Sequence, residues 1–272
     1  ADFLTERPLT IRCRTYLNSK EEIVKSLENQ GVEVTPAPYL PYAYGISGFN
    51  HILALDAFIK GQIVVQDVSS MLVAEVANPK KGDYVIDVCA APGGKSTELA
   101  AKLNGTGILI SNDISNSRAK ALLKNLELFG IGNMCVVSEP PNNLSKAFEG
   151  TFDKILIDAP CSGEGMFRKS SSMMTAWENN GTELFAGLQR GILNEACKML
   201  KPGGKLLYST CTFSPEEDER SVEYLLSIDD SMHLVDFPKY EKFDDGNPAW
   251  GETGNPELVK CSRPVSYTHL RA

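Results

Sequence analysis

With 272 residues, the chain is long enough for one large domain or for a domain and a small module, and its 42% hydrophobic residues are enough for a folded core. Its apolar runs fall well short of the roughly 20 residues that cross a bilayer, so we expect a soluble, cytoplasmic protein without a membrane partner. The net charge of −8 disfavours a broad basic nucleic-acid surface, but thirteen acids lie within residues 215–260, so a local basic groove elsewhere is compatible with the composition.

Residues 1–61 predict a small α+β module. The segment RPLTIRCRTYL is typical of a β-strand, and its basic residues Arg12 and Arg14 are candidates for contacts with nucleic-acid phosphates. Ser19 and Glu22 form a capping-box pattern at the start of the helix KEEIVKSLENQ. VEVTP predicts a second strand, and the proline- and tyrosine-rich segment PAPYLPYAYGISG predicts a loop.

Residues 62–260 predict an α/β domain, because short apolar runs alternate with helical patterns. The expected strands are VIDVC, GILISND, MCVVS, KILIDAP and KLLYSTC, and the expected helices include STELAAKL, SRAKALLKNLELFG and ELFAGLQRGILNEACKML. Continuously apolar strands between helices favour a parallel sheet covered on both faces, as in a Rossmann-like fold. The last helix is predicted to bury one face, formed by Leu184, Leu188, Ile192, Ala196 and Met199.

The segment CAAPGGKST follows the first of these strands and ends like a phosphate-binding loop. That loop requires a glycine six positions before Lys95, where this chain has Cys89, and Pro92 removes a backbone donor. The segment therefore does not predict a triphosphate site. Its small residues would still let a ligand approach the backbone between a strand and a helix; they are Ala90, Ala91, Gly93 and Gly94.

Asp113 ends the second strand, 20 residues after Gly93, where an acid can accept hydrogen bonds from the ribose hydroxyls of an adenosine. The alternative is a role as a helix cap, because Ser115 and Asn116 follow it. A ligand with an adenosine group and no phosphates fits these parts, and S-adenosylmethionine is the obvious candidate.

Two of the seven cysteines occupy equivalent positions after neighbouring strands. The seven include no C-x-x-C pair, which argues against a zinc site and predicts free thiols in a reducing compartment. Cys161 and Cys211 follow the fourth and fifth strands, which are adjacent in a doubly wound sheet, so both thiols are expected at one crevice. Either alone is typical of a small buried residue, but the pair beside a predicted cofactor turn favours a catalytic role.

Such a pair suits the methylation of cytosine at carbon 5. That carbon is a poor nucleophile until a thiolate adds to carbon 6. A nearby ammonium such as Lys95 can lower the pKa of the thiol, and Asp158 at the end of the fourth strand can stabilise the charge that develops on the base. The alternatives for these two residues are a solvent-facing lysine and an ordinary acid at a strand end.

Four motifs, in the same order, resemble those of the Nop/Sun-type RNA cytosine-5 methyltransferases. They are CAAPGGK (89–95), the Asp113 strand end, DAPCSGEGMFRK (158–169) and YSTCTFSPEE (208–217). The resemblance covers residues 62–226 and implies a class I methyltransferase sheet, preceded by the family's small RNA-recognition-like module.

The resemblance also implies roles for individual residues. Cys211 would attack carbon 6, and Cys161 would assist release of the methylated product. The CAAPGGK segment, Asp113 and Asp158 would hold S-adenosylmethionine, and Asp158 and Lys95 would also line the pocket for the target base. The segment GEGMFRK resembles the bacterial 16S branch, which implies 16S rRNA or a small-subunit precursor as the RNA partner of a monomeric enzyme without a metal.

Other activities are compatible with these residues. A tRNA cytosine-5 methyltransferase, an enzyme that methylates an exocyclic amine and a DNA cytosine-5 enzyme that attacks through Cys161 are alternatives. A non-catalytic ribosome-assembly factor that binds RNA and retains the cofactor fold is another.

Three further segments carry predictions of their own. The adenine contact is open near SEPPNN, where Ser138, Glu139 or a backbone amide would serve. The run that begins at Ser214 and Pro215 predicts a helix N-terminus with Glu217 completing a capping box. Residues 261–272 lack a strand period and predict a truncated or non-native tail.

Overall fold

The computed structural model of the chain describes residues 9–15, 18–167, 171–241 and 243–264. The last two residues of the 158–169 motif and most of the predicted tail lie outside this described part. Within it, none of the helices has both the length and the apolar character that a membrane span needs.

The N-terminal part is built around a four-stranded antiparallel sheet. Its elements are β1 (Leu9–Cys13), α1 (Lys20–Glu28), β2 (Glu33–Pro36), β3 (Ala43–Ser47), α2 (Asp56–Ile59) and β4 (Ile63–Val65), with strand order β2-β3-β1-β4. The helix α1 begins as predicted: the Ser19 hydroxyl accepts from the Glu22 backbone N–H, and the Glu22 carboxylate accepts from the Ser19 N–H. Buried Ile23 and Leu27 of α1 then pack on the sheet.

Two features of this part differ from the prediction. The segment predicted as a loop contains β3, which pairs with both β1 and β2, so sheet pairing outweighs its proline- and glycine-rich composition. The predicted module boundary after residue 61 is too early, because β4 pairs with β1 and places Ile63 opposite Cys13. A strand of three residues has too little alternation to be recognised in a sequence.

The remainder forms the predicted parallel sheet. Its elements are α3 (Val68–Ala77), β5 (Tyr84–Asp87), α4 (Gly94–Leu103), β6 (Ile108–Asn112), α5 (Asn116–Leu128), β7 (Met134–Val137), α6 (Pro141–Ala147), β8 (Phe152–Asp158), α7 (Ser171–Asn180), α8 (Glu183–Met199), β9 (Leu200–Ser209) and α9 (Glu219–Ile228). The strand order is β7-β6-β5-β8-β9, and every neighbouring pair is parallel. This order confirms the Rossmann-like prediction.

Helices cover both faces of this sheet. Ile86 and Ile155 point to a core shared with Leu193 of α8. Val85, on the opposite face of β5, packs in a second core with Leu99 of α4. The central strand is therefore buried on both sides, as its continuous apolar run predicts.

The helix α8 is confirmed, and its predicted buried face holds only in the second half of the helix. Ala196 and Met199 are fully buried and Ile192 packs against the core, as predicted, whereas Leu184 and Leu188 are 51% and 50% exposed. In the first half the polar Gln189 is buried instead, because it finds hydrogen-bond partners that an apolar pattern does not anticipate.

Arg12 and Arg14, predicted to contact nucleic-acid phosphates, lie instead at the junction between the two sheets. Arg12 is only 4% exposed and donates to the Thr97 hydroxyl, and Arg14 donates to the Gly61 carbonyl and lies 4.2 Å from the ring centroid of Phe129. Both guanidinium groups are therefore used inside the protein, and the predicted contact with nucleic-acid phosphates is wrong for this strand.

The start of the predicted tail is packed against the domain. A two-stranded antiparallel sheet pairs β10 (Phe243–Asp245) with β11 (Ser262–Pro264). Arg263 in β11 forms ion pairs with Asp218, at 3.2 Å, and with Glu219 of α9. Residues 261–264 thus belong to the fold, which corrects that part of the tail prediction; residues 265–272 lie outside the described chain.

Candidate active site

Cys161 and Cys211 converge as expected. Because β8 and β9 are adjacent and parallel, their following loops meet at one edge of the sheet, and the two Sγ atoms lie 3.2 Å apart. The hydrogen bond from Cys161 lowers the pKa of the Cys211 thiol. The same hydrogen bond, together with burial, raises the pKa of Cys161. The pair therefore favours a thiolate at Cys211 beside a protonated Cys161.

An ion pair lies beside the thiols. Lys95, in the first turn of α4, places its Nζ 2.7 Å from Oδ2 of Asp158 at the end of β8. The other carboxylate oxygen of Asp158 accepts a hydrogen bond from the Ser209 hydroxyl at 3.0 Å. The positive charge of Lys95 further lowers the pKa of Cys211. The Asp158 side chain is 36% exposed, so it remains accessible to a ligand.

The CAAPGG turn connects β5 to α4 and lines a cleft. The Ala90 N–H donates to the Asn112 carbonyl at 2.7 Å, which holds the turn against the end of β6. Gly93 has φ of 109°, and a Cβ there would lie 2.9 Å from Leu122, so a side chain is excluded. A cleft of about 1130 Å³ runs along this edge of the sheet, lined among others by Cys89, Ala90, Ala91, Pro92, Gly94, Lys95, Asp158 and Cys211.

Asp87, at the end of β5, is a site residue that the sequence prediction missed. It is fully buried and lines the cleft, and its Oδ2 accepts from the Ser96 hydroxyl at 2.7 Å. Its Oδ1 has no hydrogen-bond partner in the described part of the chain, and burial raises the pKa of the group to about 7. The sequence offered one signal for Asp87, since an acidic residue in an otherwise apolar strand is costly to bury without a purpose.

Asp113 follows β6 as predicted, but its carboxylate already has partners. Oδ1 accepts from the Ser115 N–H at 3.0 Å, and Oδ2 lies 3.1 Å from the guanidinium of Arg118. The first contact matches the alternative interpretation as a local cap. Arg118 also donates to the Ala91 carbonyl at 3.0 Å, and its side chain is 59% exposed. A ribose that binds Asp113 would share this carboxylate with Arg118.

Glu217 joins the two cysteine loops, a role that its predicted place in a capping box did not indicate. The helix α9 begins only at Glu219, so the capping-box prediction is wrong. Glu217 is fully buried, and its Oε2 accepts from the Ser162 N–H and from the Gln189 side-chain amide, both at 2.9 Å. Ser162 follows Cys161, so this carboxylate ties the loop after β8 to the loop after β9.

A second carboxylate bridges the same loops from the other side. Glu164 accepts from the Phe213 N–H at 2.9 Å. The Gly165 N–H donates to the carbonyl of Cys211 itself at 2.8 Å. These contacts hold the backbone on both sides of the thiol pair.

Comparisons with known proteins show which family the chain resembles. Residues 74–252 match the family described as 16S rRNA methyltransferase RsmB/F. The chain is 33% identical over 274 residues to ribosomal RNA small subunit methyltransferase F of Vibrio parahaemolyticus, which covers 96% of this chain and 57% of that protein. It therefore spans a little more than half the length of this curated relative.

Solved structures share the fold. A methyltransferase homologue from Pyrococcus horikoshii superimposes with a TM-score of 0.81 at 27% identity, covering 98% of this chain and 85% of that one. NSun6 from Pyrococcus horikoshii, solved with SFG, has a TM-score of 0.73 at 24% identity, covering 87% of this chain and 85% of that one.

Proposed function

Because the chain belongs to the 16S rRNA methyltransferase RsmB/F family, we propose that it transfers a methyl group from S-adenosylmethionine to carbon 5 of a cytidine in 16S rRNA. The proposal depends chiefly on one observation, the 3.2 Å separation of the Cys161 and Cys211 sulfurs beside the Lys95–Asp158 ion pair. Methylation of an exocyclic amine would not require a thiol pair.

The cleft residues fit this cofactor. S-adenosylmethionine supplies an electrophilic methyl group on a sulfonium ion. The unpartnered oxygen of buried Asp87 suits an ammonium group, and the small residues Ala90, Ala91 and Gly94 line the cleft, where a ligand would lie close to the backbone. Asp113 would accept from ribose hydroxyls, and Asp158, near the thiols, would contact both the cofactor and the target base.

The chain's own groups would perform the reaction as follows. The Cys211 thiolate would form a bond to carbon 6 of the cytosine, and the electron pair of the double bond would move to carbon 5. Carbon 5 would then take the methyl group as the carbon–sulfur bond of the sulfonium breaks and S-adenosylhomocysteine leaves with that electron pair. Asp158 and Lys95 stabilise the charge that develops on the base. A base removes the carbon 5 proton, the double bond re-forms, and Cys211 leaves as a thiolate. Cys161 assists this release by hydrogen bonding to the departing sulfur.

The RNA must present its cytidine outside a base stack. Extrusion costs a few kcal/mol, and less for an unpaired base, so a loop or open region of rRNA is the favoured substrate. We assign RNA binding to the N-terminal part around the first sheet, in a monomeric, cytoplasmic enzyme. The thiol chemistry needs no metal.

The test compares cysteine variants on unmethylated 16S rRNA, read by methyl transfer, bisulfite sequencing and denaturing gels. We expect Cys211→Ser to lose turnover by at least about 1000-fold, since the nucleophile is removed. Cys161→Ala, which removes the hydrogen-bond donor, should accumulate a covalent protein–RNA complex. Cys135→Ser, an exposed cysteine on β7, serves as the matched control with unchanged turnover. Turnover retained by Cys211→Ser, or an adduct formed through Cys161, would contradict the proposal.

A further inference from the structure

We infer that Arg12 is a positioning residue, through which the N-terminal sheet holds the first turn of α4 and thereby sets the affinity for S-adenosylmethionine. The inference rests on the proposed function, because it takes the cleft beside this turn as the cofactor site. It also gives the N-terminal part a role in cofactor binding besides RNA binding.

Arg12 bonds directly to the turn that the cofactor would contact. Its Nη2 donates to the Gly94 carbonyl at 3.2 Å and to the Thr97 hydroxyl at 2.6 Å. Thr97 in turn donates to the same Gly94 carbonyl at 2.9 Å. Gly94 and Lys95 line the cleft, whereas Arg12 does not, so the guanidinium supports this turn from behind.

Gln66 extends this support into the cleft wall. The Arg12 Nε donates to Gln66 Oε1 at 3.1 Å, and Gln66 itself lines the cleft. The Gln66 N–H donates to the Thr10 carbonyl, and the Thr10 hydroxyl donates to the Gln66 carbonyl at 2.7 Å. A Cβ on Gly94 would lie 3.7 Å from the Gln66 side chain, so the two are in van der Waals proximity. The strand β1 thus reaches the cofactor turn by two routes.

Burying the Arg12 guanidinium near the N-terminus of α4 costs free energy. We therefore infer that Arg12 is placed there for the hydrogen bonds that it makes and not for its charge. A guanidinium beside the N-terminus of α4 opposes the helix dipole, and burial lowers the pKa of Arg12. Glu98, one turn along α4, offsets this with an ion pair at 3.8 Å between side chains that are 5% and 3% exposed. A planar guanidinium can bond Gly94, Thr97 and Gln66 at once, which an ammonium on a flexible stem cannot do in the same geometry.

Arg14, which directly follows β1, provides a control. It also bridges the two parts of the chain, with bonds to the carbonyls of Gly61 and Phe129. Phe129 follows α5, far along the chain from the cofactor turn. Loss of Arg14 should therefore weaken the junction without loosening the Gly94–Thr97 turn.

The experiment measures S-adenosylhomocysteine affinity by calorimetry, together with unfolding temperature, in the Arg12→Lys and Arg14→Lys variants of the full chain. Both should lower the unfolding temperature. Arg12→Lys should also weaken binding by at least about 10-fold and raise KM for S-adenosylmethionine, because charged-group hydrogen bonds to the turn are lost. Arg14→Lys should stay within about 2-fold of the unsubstituted chain.

Equal affinities in Arg12→Lys and the unsubstituted chain, or equal losses in both variants, would overturn the inference. If Arg12→Lys does not fold, Thr97→Val removes the hydroxyl that accepts from Arg12 and donates to the Gly94 carbonyl. We expect this variant to weaken binding by about 3-fold, and unchanged affinity would also overturn the inference. No binding by the unsubstituted chain would instead refute the cofactor assignment in the proposed function, and this inference with it.

Discussion

Buried carboxyl groups set the response of single residues to pH in this protein. Asp87, Glu98 and Asp218 all have pKa values raised to about 7, chiefly because burial disfavours the charged form. Arg12 partly offsets this effect at Glu98. Asp87 lines the cleft, Glu98 pairs with Arg12 and Asp218 pairs with Arg263. Changes of charge near neutral pH therefore fall close to the candidate site and to the junction with the N-terminal part.

Glu98→Gln should change how stability depends on pH. A carboxyl whose folded pKa is about 7, against an ordinary 4.5, contributes stability below pH 4.5 that is lost as the pH rises through about 7. The variant lacks this loss. Relative to the unsubstituted chain, its free energy of unfolding should therefore rise between pH 4.5 and pH 8, by up to about 3 kcal/mol. Urea titrations across this range measure the difference.

The exposed Glu127 supplies the comparison for this measurement. Glu127→Gln should differ from the unsubstituted chain by the same small amount at every pH. If the difference in free energy of unfolding between Glu98→Gln and the unsubstituted chain does not vary with pH, the pKa of Glu98 is not raised in the folded state.

Among the elements, the two loops that follow β8 and β9 depend on each other. Each carries one cysteine, and Glu217 links them through the Ser162 N–H and the amide of Gln189 in α8. The Gln189 amide also donates to the Pro160 carbonyl at 2.9 Å. The spacing of the thiols is thus set by a fully buried carboxylate and the helix behind it, rather than by either loop alone.

Glu217→Gln should lower turnover by at least about 10-fold and stability by about 1–3 kcal/mol, because the new amide faces the donors of Ser162 and Gln189. The affinity for S-adenosylhomocysteine should not change, since the cofactor turn is untouched. Glu216→Gln is the control, as that side chain bonds Ser214 and Arg220 instead. A turnover loss in Glu217→Gln no greater than in the control would argue against this role.

In the molecule as a whole, the N-terminal part shares a core with α3, the helix that also packs on the parallel sheet. Leu40 and Ala43 from the N-terminal part pack with Val68, fully buried Met71 and Leu72 of α3. Arg12 and Arg14 cross the same junction. The N-terminal part and the methyltransferase sheet should therefore unfold together rather than as independent units.

Hydrogen exchange of the backbone amides tests this coupling. Met71→Ala should cost about 2–5 kcal/mol, and it should reduce the protection of β1 and of β5 amides equally, because α3 packs on the N-terminal part through Met71 and on Val85 of β5 through Ala74. Leu53→Ala, at a side chain that is 69% exposed, should leave both unchanged. Reduced protection confined to β1 would mean that the parts unfold separately.

The parallel sheet, the CAAPGG turn and the meeting of Cys161 with Cys211 could be predicted from the amino-acid sequence. Continuous apolar strands, the small residues of CAAPGG and the position of each cysteine after its strand are local properties, and parallel topology converts them into neighbours. The strands β3 and β4, the buried Gln189 of α8, and the roles of Arg12 and Glu217 could not be predicted, because they depend on partners that the fold brings together. Ser162 lies 55 residues from Glu217 and Thr97 lies 85 residues from Arg12, and a polar side chain is buried only where such partners complete its hydrogen bonds.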